Sequence, residues 1–264
     1  MNITLLKLGG SLITDKSKPY TTIPDHINRI ANEVARAAKE LKNEHLILGN
    51  GAGSFAHQSA AKYDTMHGFV DEQSLYGACV VHSDAMELNR IMVQAFLEKQ
   101  IPVFSLQPSA LFLTNEKELV FHHMSILESL LEKEYIPFVY GDVIVDQKLG
   151  STIFSTDTIF RHLGSHLANK GHKIKIIHAG NYPGVLNKEH KVLSKITSTM
   201  STELTDILYE PNTTDVTGGM KLKVQEMLEL TGLGIETVIM DGRKENSIYE
   251  ALRGKHSGTT IAAS

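Results

Sequence analysis

A lysine, two glycines and a serine stand close together near the start of this chain, in Lys7-Leu8-Gly9-Gly10-Ser11, and a second lysine follows at Lys16. Adjacent glycines, lacking Cβ atoms, let the backbone turn sharply and approach a ligand. N–H groups presented at such a turn, or at a helix start beyond it, make a socket for phosphate oxygens. Lys7 and Lys16 add positive charge on either side of that socket, which is the chemistry of binding or moving a phosphoryl group. A plain structural turn accounts for Gly9-Gly10 as well, so the reading depends on a second phosphate-binding element.

Two further clusters supply candidates. Gly49-Asn50-Gly51-Ala52-Gly53-Ser54-Phe55-Ala56-His57 follows an apolar run and leads into a helical pattern. Its glycines suit backbone amides that wrap an anion. The order Gly-x-Gly-x-Gly is not the dinucleotide fingerprint, and no acidic residue closes a following strand. His57 lies about one helical turn beyond Gly53, where it could donate to a bound phosphate. The third cluster runs from Thr213 through Gly218-Gly219 to Lys221 and Lys223 in the first turn of an amphipathic helix. Lysines there oppose the helix dipole, which an external anion would relieve; a solvated charged turn is the alternative. Asp142 and Asp157 fall at strand or loop ends, where a carboxylate can hold ammonium groups or meet Mg²⁺ through water. His122-His123 has no partner at metal-ligand spacing and reads as a hairpin edge, so no metal-ligating set is assigned.

The elements that must position these residues alternate in type. Apolar strand patterns occur at Ile3–Leu8, His45–Leu48, Pro102–Leu106, Ile136–Tyr140, Lys173–His178 and Thr237–Asp241. Helical spacing spans Ile27–Leu41, Asp71–Lys99, Ser125–Lys133 and Lys221–Thr231, and hairpins are expected over Leu113–His122 and Asp142–Ile153. Strand–helix alternation predicts an α/β three-layer sandwich, a mainly parallel central sheet covered by helices on both faces. The glycine clusters fall after predicted strands, where ligands sit in such sheets. Phe69, Tyr76, Val80 and Met86 read as ordinary core, or else as lining of an apolar substrate pocket. The chain's 264 residues carry a formal net charge of −4, which argues against nonspecific binding to nucleic acid or an anionic membrane. Its single cysteine, Cys79, excludes an intramolecular disulfide. With no leader pattern and no bilayer-length apolar run, a cytoplasmic protein is expected.

Lys7-Leu-Gly-Gly-Ser, Gly51-Ala-Gly-Ser-Phe-Ala-His57, Gln107-Pro-Ser, Tyr140-Gly-Asp-Val and Asp215-Val-Thr-Gly-Gly-Met, in this order, resemble the amino acid kinase superfamily. Within it they are most similar to the isopentenyl phosphate kinase branch, whose mark is the histidine at the position of His57. The resemblance implies a single domain over residues 1–264, with an acceptor lobe over roughly 1–165 and a nucleotide lobe over roughly 166–264. It implies ATP and Mg²⁺, a phosphomonoester acceptor with an apolar tail, and a homodimer. By the same resemblance Lys7, Lys16, His57, Asp157 and Lys223 are catalytic. Gly9, Gly10, Ser11, Gly180, Gly184, Gly218 and Gly219, with Lys7, Asp157 and Lys223, bind the nucleotide. Gly51, Ala52, Gly53, His57, Gly141 and Asp142 bind the acceptor. The activity implied is ATP-dependent phosphorylation of isopentenyl phosphate to the diphosphate. A phosphonate such as fosfomycin is the alternative acceptor, and a phosphate-sensing module without turnover is a further alternative. The family has histidine where this chain has Asn50, and glycine where it has Thr156. It also has an acidic nucleotide edge where this chain reads His178-Ala-Gly180-Asn181-Tyr182-Pro183-Gly184-Val185.

Overall fold

Strand Asn2–Leu8 (β1) shows how the pattern becomes architecture. Its alternate side chains Ile3 and Leu5 enter one apolar cluster, while Leu6 and Leu8 enter another. A strand buried on both sides must lie in the middle of a sheet. In the computed structural model, which describes residues 1–200, 208 and 219–264, this is the case. The later strands are β2 (Glu44–Asn50), β3 (Val103–Ser105), β4 (Phe112–Asn115), β5 (Glu118–His122), β6 (Ile136–Tyr140), β7 (Asp142–Asp146), β8 (Gly150–Phe154), β9 (Lys173–Gly180), β10 (Lys195–Thr197), β11 (Glu236–Asp241) and β12 (Thr259–Ala262). The helices are α1 (Gly10–Ile13), α2 (Pro24–Glu40), α3 (Gly53–Lys62), α4 (Ser74–Leu97), α5 (Pro108–Leu111), α6 (Met124–Glu132), α7 (Thr156–Asn169), α8 (Gly219–Thr231) and α9 (Ser247–Leu252).

The central sheet has eight strands in the order β10-β12-β11-β9-β1-β2-β6-β3. Its pairings are parallel except where β12 runs against β11. Residues of α2, α4 and α9 pack in the cluster with Leu6 and Leu8; those of α6, α7 and α8 pack in the cluster with Ile3 and Leu5. The three-layer α/β sandwich expected from the alternation is therefore the fold. The two predicted hairpins form β4–β5 and β7–β8, and a parallel contact between Thr114 and Asp146 joins them into a separate four-stranded sheet.

The alternation did not reveal α7, α9, β10 or β12. Helix α7 begins immediately after a hairpin, where its own N-cap is the start signal: Ser155 Oγ accepts the Thr158 N–H at 3.1 Å. The expectation that Phe69, Tyr76 and Met86 are core is corrected. Phe69 lies before α4, Tyr76 and Met86 lie on it, and all three side chains are exposed. Helix α4 buries instead the face carrying Gly77, Ala78, Val81 and Ala85, which packs on Ala56 and Ala60 of α3. No helix among the described residues is long and apolar enough to cross a membrane.

Candidate active site

The carboxyl ends of the parallel strands are laced together by their terminal glycines. Gly9 N–H donates to Ala179 O (2.8 Å), Gly51 N–H to Leu8 O (2.9 Å), Gly141 N–H to Asn50 O (3.2 Å) and Gly242 N–H to Gly180 O (2.8 Å). Each of these amides is committed to the neighbouring strand end. What Gly9, Gly51 and Gly141 can offer a ligand is therefore close backbone approach rather than an N–H. Donors remain one step further along. Gly10 and Ser11 open α1, and Gly53 opens α3 after Ala52, so their N–H groups stand in first turns without intrahelical acceptors.

The two glycine loops touch directly. A Cβ on Gly10 would stand 2.5 Å from Gly53 N, and one on Gly51 would stand 2.9 Å from Gly10 N. Gly53 adopts φ +55°, where a side chain would be strained as well as crowded by Thr14. Thr14 Oγ1 donates to Gly10 O (2.7 Å) and accepts the Ser54 N–H (2.9 Å), riveting the loops together. The sequence reading placed one loop on the nucleotide and the other on the acceptor; the fold brings both to one place.

Beside them lies a charged cluster. Lys7 Nζ donates to Asp157 Oδ2 at 2.5 Å, across 150 positions of sequence. Asp157 stands in the first turn of α7, where the helix dipole favours a carboxylate. Burial pushes the Asp157 carboxyl up, but the Lys7 ammonium, His178 and Lys223 outweigh it and hold it well below the usual carboxylate range. Burial lowers the Lys7 ammonium, Lys223 and Lys16 add to that, and Asp157 opposes it. Lys16 and Lys223 thus both lie close enough for their charges to act on Lys7. Lys16 is exposed in a turn after α1, and Lys223 is half-buried in the first turns of α8. His57 is exposed on the second turn of α3.

Other expected site residues lie less simply. Asp142 is fully buried: its Oδ1 faces His82 Nδ1 at 2.7 Å and accepts the Val143 N–H, and its Oδ2 accepts the Ser109 N–H at 3.2 Å. It braces β7 against α4 and α5. Gly180 ends β9, and Gly184 packs against Val192 and Thr259. Gly219 begins α8, whereas Gly218 and the preceding Asp215-Val-Thr lie outside the described residues.

Three positions were missed. His178 Nδ1 stands 3.0 Å from Asp157 Oδ1. Tyr20 Oη donates to Asp84 Oδ2 (2.9 Å) and Tyr20 N–H to Ser54 O (3.2 Å), which fastens the segment carrying Lys16 onto α3 and α4. The available signal for His178 was a polar residue continuing the apolar series Ile174, Ile176 of a buried strand; Tyr20 and Asp84 carried none.

An α/β sheet with two interlocked glycine loops and converging lysines beyond its strand ends defines a phosphate-handling protein of the kind that binds two anionic groups side by side. The chain belongs to the amino acid kinase family, whose model, described as "Amino acid kinase family", matches residues 2–241. It is 33% identical over 267 residues to the isopentenyl phosphate kinase of Methanocaldococcus jannaschii, covering 98% of each chain. It is 31% identical to that of Methanothermobacter thermautotrophicus, covering 97% of this chain and 98% of the relative. A solved structure of an isopentenyl phosphate kinase superposes with a TM-score of 0.81 at 27% identity, covering 98% of this chain and all of the other. The resemblance read from the motifs is thereby shown.

Proposed function

We propose that this chain catalyses ATP-dependent phosphorylation of isopentenyl phosphate to isopentenyl diphosphate. The observation that carries the reading is the Lys7–Asp157 pair set against the two interlocked glycine loops, in a chain alike over nearly its whole length to isopentenyl phosphate kinases. The acceptor oxygen is already an anion, so the reaction needs no strong base. An acceptor phosphate oxygen forms a bond to the γ-phosphorus as the bond to the β-phosphate oxygen breaks, and ADP leaves. The barrier is the approach of two polyanions, which positioning and charge neutralisation lower.

In this reading Lys7, Lys16 and Lys223 neutralise the transferring group, and Asp157 holds Lys7 in place. Gly9 gives close approach, the first-turn amides of Gly10 and Ser11 meet nucleotide phosphate, and Gly180, Gly184, Gly218 and Gly219 shape the nucleotide edge. His57 and the start of α3, with Gly51, Ala52 and Gly53, hold the acceptor phosphate. Gly141 and Asp142 act from behind, through the strand end and the His82 brace. In the same reading the exposed Phe69, Leu75 and Tyr76, before and on the helix that packs along α3, supply apolar surface for the acceptor tail.

Among the described residues no group of three or more acidic, histidine or cysteine side chains could hold a metal ion. Mg²⁺ would be carried by triphosphate oxygens and water, and Asp157 would meet it through water. When bound, the ion supplies charge neutralisation on the β- and γ-phosphates. A two-lobed single domain with the acceptor on the first 165 residues, a homodimer and a cytoplasmic location complete the proposal, supported by the family resemblance. The deciding experiment is a coupled ADP-release assay with isopentenyl phosphate, dimethylallyl phosphate and fosfomycin side by side. Turnover highest with isopentenyl phosphate supports the reading; turnover with fosfomycin alone, or ATP binding without turnover, overturns it.

A further inference from the structure

We propose that His178 is a positioning residue for phosphoryl transfer: through Nδ1 it fixes the Asp157 carboxylate, which in turn holds the Lys7 ammonium at the transferring group. This rests on the reading of the site given above.

The argument begins with register. In parallel pairing, Lys7 of β1 stands opposite His178 of β9, as Leu5 stands opposite Ile176 and Asn2 opposite Lys173. Side chains alternate along a strand, so Ile3-Leu5-Lys7 and Ile174-Ile176-His178 form two adjacent rows on the face covered by α7. Ile3, Leu5, Ile174 and Ile176 all enter the same apolar cluster there. Each row ends, at the carboxyl edge of the sheet, in a polar residue. Asp157, in the first turn of α7, lies over both, with Oδ2 on Lys7 at 2.5 Å and Oδ1 at 3.0 Å from His178.

The division of the carboxylate is the point. A carboxylate held at one oxygen can still swing about its Cα–Cβ and Cβ–Cγ bonds, carrying the lysine with it. A partner on the second oxygen fixes its plane. Asp157 Oδ1 is buried and takes no other hydrogen bond among the described residues, and His178 Nδ1 stands 3.0 Å from it. A buried carboxylate oxygen calls for a donor, and a proton on Nδ1 of His178 supplies it. Burial and the adjoining Lys7 and Lys223 disfavour the imidazolium, while Asp157 favours it; the net direction is toward neutral imidazole. A neutral ring with its proton on Nδ1 donates to Asp157 without adding a cation, so Lys7 keeps its place as the charged group facing phosphate. Leu or Ile would continue the apolar row equally well, so packing alone does not call for histidine here.

Two measurements test this on the full-length protein. ¹⁵N-histidine NMR, with the His178 signal assigned by its loss in His178→Asn, is expected to show the Nδ1–H tautomer at neutral pH; the Nε2–H tautomer overturns the proposal. In steady-state kinetics, His178→Leu is expected to lower kcat about tenfold or more, with both KM values within about threefold. His178→Asn, whose amide can replace Nδ1–H, is expected to recover most of that loss. Wild-type kcat in His178→Leu, or no recovery in His178→Asn when both variants melt as the wild type does, overturns it. If the wild type itself fails to phosphorylate isopentenyl phosphate, the functional reading falls, while the tautomer still decides the Asp157 contact.

Discussion

Thr156 Oγ1 donates a 2.6 Å hydrogen bond to the carbonyl of Asn50, joining two positions at which this chain departs from the pattern of the family it resembles. Asn50 is buried, its Oδ1 accepts from Asn89 Nδ2 at 3.0 Å, and Asn89 Oδ1 accepts from Ser105 Oγ at 2.6 Å. The two replacements thus belong to one polar chain that runs beneath the second glycine loop from α7 to β3. Thr156→Gly, which restores the family residue alone, removes the bond and places glycine in the first turn of α7. It should lower stability by about 1–2 kcal/mol in urea denaturation; an unchanged midpoint would show that the polar chain contributes nothing.

His57 stands on the helix that opens directly from the glycine loop. His57→Ala should lower kcat/KM for isopentenyl phosphate by about a hundredfold or more while leaving the circular-dichroism melt unchanged, as expected for loss of a donor to the acceptor phosphate. Near-normal turnover in this variant would remove His57 from the site.

Lys7 carries the expected alkaline dependence. Burial, aided by Lys223 and Lys16, holds its ammonium below the ordinary lysine range against the pull of Asp157. Proton loss removes the charge that faces phosphate, so kcat/KM should fall as pH rises through this lowered value, earlier than an ordinary lysine would dictate. Lys7→Arg keeps a permanent charge and should show a lower but flat alkaline profile. The same alkaline limb in both proteins would assign it to another group.

Tyr20 fastens the Lys16 segment to α3 and α4. Tyr20→Phe should reduce kcat about three- to tenfold through loss of positioning. In a Lys16→Met background the same change should have little further effect, because the group it positions is gone. Additive losses would show that Tyr20 acts independently of Lys16.

Asp146 ties the β7–β8 turn to the β4–β5 turn by accepting backbone N–H groups from Lys148 and Leu149 of the first and from Glu116 and Lys117 of the second. Burial raises its carboxyl, but these bonds and Thr114 outweigh it and leave it well below the usual range. A depressed carboxyl contributes stability above its unfolded-state value, and that contribution is lost as pH falls through the folded one. Asp146→Ala should therefore destabilise the protein by about 3 kcal/mol at neutral pH. The gap between variant and wild type should close in acid, and a gap independent of pH would refute the charge argument.

Much of this molecule was legible from its residues because the signals are local. Near-continuous apolar runs marked the core strands, and glycine after the first, second and fourth of them marked strand ends. Lys7, His57 and the Lys221–Lys223 pair stood out because each adjoins such a glycine cluster. Helix α7 escaped because its start lies in a serine cap directly behind a hairpin. The exposed aromatic residues near the start of α4 were misread because helical spacing alone does not say which face is buried.

What the residues alone could not decide is which distant groups meet. Lys7 finds Asp157 and His178 only because β9 pairs with β1 in one register and α7 crosses over the same face. A shift of one residue would turn Lys7 toward the opposite layer. Nor could glycine composition tell which amides the sheet would claim: Gly9, Gly51 and Gly141 donate to neighbouring strand ends, leaving ligand donors to the residues just after Gly9 and Gly51. Composition and spacing therefore determined the class of chemistry and the strand ends where it sits. Register, crossover and hydrogen-bond pairing between segments far apart in sequence decided which atoms perform it.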